Sequence, residues 1–319
     1  YLTPQSSKKE TQFRRVKLIK RIKKLFYKEK YAAILLASPG VIWLLFFVII
    51  PFISAVVLSL TNRTLIKNPK IGTSFIGLGN YIEMFRDKEF FQALGNNIEF
   101  TLLAVPIQCG LALLLALLLN NKLKGIGIFR TIYFAPILIP MLVVSMTWSL
   151  LFTPNAGGFI NSLLSFISFG KIEPLKWLFD PKTSMLSIVI FSVWAGVGFQ
   201  TVIILSGLQS VDVSLYEAAS VDGAKTFQKF WNITIPELRN TLIVVILSST
   251  ILSFKLFTQV LVLTQGGPLG STNTLIYMIY DTGFIDQRLG YSSAISVVFF
   301  LIVLAISLLQ QRLTKMTSK

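Results

Sequence analysis

Six stretches of about twenty or more apolar residues, nearly free of charge, restrict what this chain can fold into more than any other feature of it. They run over about 32–60, 98–119, 131–152, 185–207, 241–264 and 291–311. A hydrocarbon layer of ~30 Å takes about 20 helical residues to cross. The sequence therefore reads as an all-α integral membrane protein with six transmembrane helices. Pro51, Pro106, Pro136 and Pro140 fall inside these stretches, where neighbouring helices satisfy the backbone groups a proline frees. Composition agrees, with 53% hydrophobic and 14% charged residues. A soluble domain carries about 25% charged residues, and this much apolar surface would leave large exposed patches in water.

The net charge of +16 raises nucleic acid as a partner, but its distribution argues against that. Eleven of the thirty Lys and Arg residues precede residue 31, and the others form no basic stripe. A basic tail beside an apolar run reads as a cytoplasmic flank, 1–30, that favours anionic lipid. An even number of spans places both termini on one side. The cytoplasmic segments, with Arg312 counted alongside the tail 313–319, then hold twenty of the cations and the outer segments 61–96, 153–184 and 265–290 hold nine. Lys255 alone lies within a span. The expectation is a multi-pass membrane protein, with a transmembrane domain over 31–312 and both ends cytoplasmic. A cleavable leader is not expected, because the first apolar run is too long and lacks a small-x-small site. With no His, imidazole zinc sites and His acid–base chemistry are excluded. The single cysteine, Cys109, excludes an intrachain disulfide and reads as a small buried apolar residue. No pair of spans repeats another, which disfavours an inverted-repeat secondary carrier.

The segment 208–240 carries the most information. Ser214 and Glu217 form an S-x-x-E capping box, predicting that a short helix starts there. Ala218 and Ala219 extend it with a small-residue surface, and Gly223 supplies a turn. A second helix follows with Phe227, Phe230 and Trp231 on one face, and Pro236 breaks the chain before the next span. On the residues alone, this aromatic face either docks on a partner or lies on lipid headgroups.

The spacing Glu217-Ala218-Ala219, three residues, Gly223, nine residues, Ile233-x-Ile235-Pro236 resembles the EAA loop of binding-protein-dependent ABC importer permeases. Ile235 stands where that family usually has Leu. Phe134 to Pro140 followed by Trp148 and Pro154, and Gly266-Gly267-Pro268 followed by Ser271 to Thr274, resemble its carbohydrate-uptake branch, in particular the larger subunit of maltose and oligosaccharide importers. The resemblance covers nearly the whole chain after residue 30. It implies a type I importer permease fold in a bacterial inner membrane, with the loop 208–240 as a coupling element docked on a cytoplasmic ATPase subunit. Glu217, Ala218, Ala219, Gly223, Phe227, Phe230, Trp231 and Pro236 would serve that coupling, with Glu217 as a cap. The implied partners are a second related permease, two ATPase subunits and an external solute-binding protein. The chain has no G-x-x-x-x-G-K-[ST] loop, so ATP and Mg would be used by the ATPase partners and no cofactor or metal by this chain. It is not expected to be an enzyme.

Sugar recognition pairs hydrogen-bonding groups with aromatic faces. Two spans offer that mixture: Trp194, Gly196, Phe199 and Gln200 in the fourth, and Phe254, Lys255, Phe257 and Gln259 in the fifth. Trp194, Gly196, Phe254 and Phe257 line up with blocks that line the sugar site in the maltose permease; Lys255 and Gln259 do not. Packing or lipid contact is the alternative for Trp194 and the two Phe. Burying an unpaired ammonium in a span costs at least about 2.5 kcal/mol, so Lys255 is expected to face a cavity or a carbonyl cluster. An acidic sugar such as a uronate, and a non-sugar solute such as glycerol phosphate or polyamine, stay open as substrates. An ion-coupled carrier is disfavoured, because only Glu99 offers a carboxylate near a span.

Overall fold

The computed structural model describes residues 29–66, 72–120 and 126–316, and it is built of helices. The chain divides into two units, residues 1–57 and 58–319. The basic tail 1–28 and the end 317–319 lie outside the described residues, as do 67–71 and 121–125.

The first unit holds most of helix α1, Ala33–Ser59, a single apolar helix long enough to cross a membrane. It contains a π turn at Leu45–Ile49 that ends two residues before Pro51. A proline has no N–H to give back to the preceding turn, and the wider i→i+5 register accommodates the gap. The same arrangement recurs at Phe230–Thr234, two residues before Pro236.

In the second unit the long helices are α3 (Lys88–Asn120), α7 (Pro181–Gln209) and α13 (Leu289–Met316), preceded by the short α2 (Gly79–Met84). α3 and α7 form the most extensive helix pair. Ala112 and Ala116, one turn apart on α3 and fully buried, pack with Val197, Ile204 and Leu205 of α7. Small residues at this spacing allow the close backbone approach that lets helices associate where lipid supplies no hydrophobic drive. Aromatic packing around Phe152, Trp177 and Phe191 closes the opposite end.

Two of the six expected spans are not continuous. The third is broken at Ile139–Pro140 into α4 (Ile126–Leu138) and α5 (Met141–Leu151), with a 112° bend. The fifth is broken at Lys255–Phe257 into α10 (Arg239–Phe254) and α11 (Thr258–Leu263). Among the described residues, four helices are long and apolar enough to cross a membrane alone, and up to six segments are if the bent pairs Thr131–Leu138 with Met141–Leu151 and Thr226–Glu237 with Arg239–Phe254 each form one span. Between the spans lie α6 (Phe159–Ile167), α8 (Val213–Val221), α9 (Thr226–Glu237) and α12 (Leu275–Ile285).

Candidate functional site

Both breaks border the same cavity, of about 580 Å³, within the ~300–1,000 Å³ usual for small-molecule sites. Irregular backbone at membrane depth is tolerated where it lines a cavity, because water or a ligand then replaces the missing backbone partners. Pro136, Ile139 and Pro140 form one wall; Lys255 and Leu256, with Gln259 from α11, form another. α3 contributes Phe100 and Gln108, and α7 contributes Ser192, Gly196, Phe199 and Gln200.

The cavity wall carries polar groups that are not saturated. Gln200, 3% exposed, donates from Nε2 to Ser249 Oγ at 3.1 Å, and its Oε1 has no partner among the described residues. Ser192 Oγ is likewise buried without a partner there. A Cβ at Gly196 would overlap the Gln108 side-chain amide, so the glycine is what lets that amide lie across α7 into the cavity. Lys255 is exposed to the cavity, with its backbone N–H on Leu252 O at 3.1 Å at the end of α10. Lys255 is thus the residue that closes α10, and its side chain stands open to the cavity.

Of the eight candidate substrate residues, Gly196, Phe199, Gln200, Lys255 and Gln259 line this cavity. Trp194 does not; it packs against Trp148, ring centroids 5.2 Å apart. Phe254 is buried and faces a separate cavity with Thr101, Pro106 and Ile246. Phe257 meets Tyr280 edge-on at 5.4 Å. The sequence reading missed Gln108 and Ser249. Gln108 had a signal, being the only side-chain amide between residues 98 and 119.

The segment between α7 and α10 forms the expected pair of short helices, with one correction. α8 begins at Val213, capped by Asp212, whose carboxylate accepts the Ser214 N–H at 2.9 Å. Glu217 therefore does not cap the helix. Asp212, two residues upstream of Ser214, is an equally strong cap and is reached first, which leaves Glu217 exposed one turn inside. The Ser214 backbone N–H, helped by its hydroxyl, holds the Asp212 carboxyl below the usual carboxylate range. Ala218 is exposed and Ala219 half-buried.

Gly223 has φ +75 and ends α8. Its N–H donates to Ser220 O at 3.2 Å and the Ala224 N–H to Ala219 O at 2.9 Å, the Schellman pattern. Tyr216 Oη and Thr234 Oγ1, 3.0 Å apart, tie α8 to α9. Phe227 and Trp231 are exposed and stack edge-on at 6.1 Å, with Phe230 against Trp231 at 5.2 Å. The chain turns by 67° at Leu238, two residues after Pro236.

Residues 108–319 match the family model described as "Binding-protein-dependent transport system inner membrane component". The chain is 35% identical to the probable ABC transporter permease protein YurN of Bacillus subtilis, over 87% of this chain and 94% of that one. It is 34% identical to the trehalose/maltose transport system permease protein MalF of Thermococcus litoralis, over 89% and 94%. A crystal structure of a bacterial ABC transporter involved in the import of the acidic polysaccharide alginate contains a chain of the same fold. Its TM-score is 0.76 at 24% identity, covering 95% of this chain and all of that one.

Proposed function

Because the chain belongs to the binding-protein-dependent transport system inner membrane component family, we propose that it is the permease subunit that passes a sugar or oligosaccharide through the 580 Å³ cavity. The carrying observation is the cavity itself, bounded by two broken spans and walled by amide, hydroxyl and ammonium groups. Gln108, Ser192 and Gln200 suit sugar hydroxyls, which both donate and accept hydrogen bonds, and Phe199 offers a ring face. The trehalose/maltose relative and the alginate importer support this substrate class. Lys255 would meet a carboxylate if the sugar is acidic.

The loop 208–240 would face the cytoplasm and dock on an ATPase subunit through Phe227, Phe230 and Trp231. Glu217, Ala218 and Ala219 would present the exposed side of α8, Gly223 the tight turn, and Pro236 the bend toward α10. A second related permease would complete the pathway, and a solute-binding protein would deliver the sugar from outside. ATP and Mg would act in the ATPase pair, whose closure moves the loop and alternates access to the cavity.

The test is uptake of labelled oligosaccharide by cells whose only copy of this chain carries Gly196→Leu. A side chain there displaces the Gln108 amide and fills the cavity. Uptake is expected to fall by more than about tenfold, the effect of misplacing a single hydrogen-bonding contact by ~1.4 kcal/mol, while the chain still inserts. Normal uptake would remove the cavity from the pathway.

A further inference from the structure

The break in the fifth span is held from outside that span. Where α10 stops, the carbonyls of Phe254 and Leu256 are met by side chains from elsewhere. Asn97 on α3, fully buried, donates from Nδ2 to Phe254 O at 3.3 Å. Thr274, also fully buried, donates from Oγ1 to Leu256 O at 2.9 Å.

These two side chains also belong to a second assembly. Asn97 Oδ1 accepts the Leu275 N–H at 2.8 Å, at the exit of the turn 264–274. Its neighbour Asn96 donates from Nδ2 to the carbonyls of Gly270 and Asn273, at 2.7 and 2.8 Å. Within the turn, Thr272 Oγ1 bonds Thr264 Oγ1 at 2.8 Å and Gly267 O at 2.7 Å. Its tip presents Leu269, 88% exposed. One turn of α3 therefore holds the turn and the break together.

We propose that Asn97 and Thr274 are positioning residues that lock the cavity wall at Lys255–Gln259 to the turn 264–274, so that a protein seated on the turn sets the shape of the cavity. The occupant of the turn is the external solute-binding protein, an identification that rests on the proposed function. The physical ground is the environment of the break. Phe254 and Leu256 are buried, so the carbonyls the break frees there are met by side chains and follow the groups that satisfy them. A displacement of the turn carries Thr274, Thr274 carries Leu256, and Leu256 lines the cavity.

The test uses the complete transporter in membranes, with Gln259→Cys as a cavity probe in a Cys109→Ser background. Thr274→Val keeps the shape of the side chain and removes the donor; Thr274→Ser keeps the donor. With Thr274→Val, the rate of Gln259→Cys labelling by a small thiol reagent should change by about fivefold, the factor that one hydrogen bond of roughly 1 kcal/mol supplies. Binding-protein stimulation of ATP hydrolysis should fall while basal hydrolysis is kept, and Thr274→Ser should restore both. Unchanged labelling with Thr274→Val overturns the lock. If Thr274→Val fails to reach the membrane, Asn96→Ala, which loosens only the turn, decides by the same criterion: changed labelling supports the lock and unchanged labelling overturns it. Labelling needs no binding protein, so a transporter that no binding protein stimulates would refute the proposed function and leave the lock to be judged on labelling alone.

Discussion

Replacing Gly223 separates backbone strain from loss of shape in the loop 208–240. At φ +75, a residue with a Cβ is strained by about 1–2 kcal/mol. Beyond its two chain neighbours, no heavy atom lies within 4 Å of the position a Cβ would take, so no packing clash adds to that strain. Gly223→Ala should then reduce the population of the docked loop by roughly fivefold or somewhat more, and uptake with it. Gly223→Pro is of another order. Proline fixes φ near about −65°, removes the N–H that serves Ser220 O, and drives the preceding Asp222 out of the helical region. The end of α8 must refold. The assay is co-purification of the ATPase subunits with the tagged chain, alongside uptake and membrane insertion. Gly223→Pro should lose both co-purification and uptake and still insert, because insertion follows the apolar spans. Normal uptake with Gly223→Pro would refute the docking role. An Ala variant as damaged as the Pro variant would show that left-handed strain is the wrong account.

Two further outcomes follow from the same geometry. Lys255→Met should fold, since it removes a charge from a cavity wall without stranding a partner; uptake of an anionic sugar should fall by about tenfold or more and that of a neutral one by far less, and equal effects on both would exclude a counter-charge role. Cysteines at Thr73 and Lys182, in a Cys109→Ser background, should react with an impermeant reagent in intact cells, whereas one at Lys225 should react only in opened membranes; the reverse pattern would invert the orientation.

What the sequence made legible is the part of the fold that depends on local composition. The apolar runs mark the helices at about their observed places, because the hydrophobic length needed to cross a bilayer is a local property. The breaks at Ile139–Pro140 and Lys255–Phe257 were not legible. Prolines inside spans are compatible with continuous helices, and the fifth span is held open by Asn97, which lies over 150 positions away in the chain. α3 begins at Lys88, a decade before the apolar run, since Asn96 and Asn97 make their bonds inside the protein and need no lipid-facing hydropathy. In the loop 208–240, Gly223 was readable because a left-handed turn needs glycine there. The cap was misread because Asp212 and Ser214 both qualify and their order along the chain decides. Trp194, Phe254 and Phe257 do not line the cavity that their neighbours line: Trp194 packs against Trp148, Phe254 lines the second cavity with Pro106, and Phe257 meets Tyr280, all partners distant in the chain.

The central claim, that this chain is the conducting part of an ATP-driven importer and not its motor, is tested most directly by reconstitution in liposomes. The chain would be assembled with its partner permease, the two ATPase subunits and a sugar-loaded binding protein, and then with each component withheld in turn. The account predicts ATP-dependent uptake only in the complete set, and no ATP hydrolysis by this chain purified alone, which has no loop of the phosphate-cradling type in its sequence. Hydrolysis by a preparation shown free of the ATPase subunits, or sugar uptake without them, would contradict it.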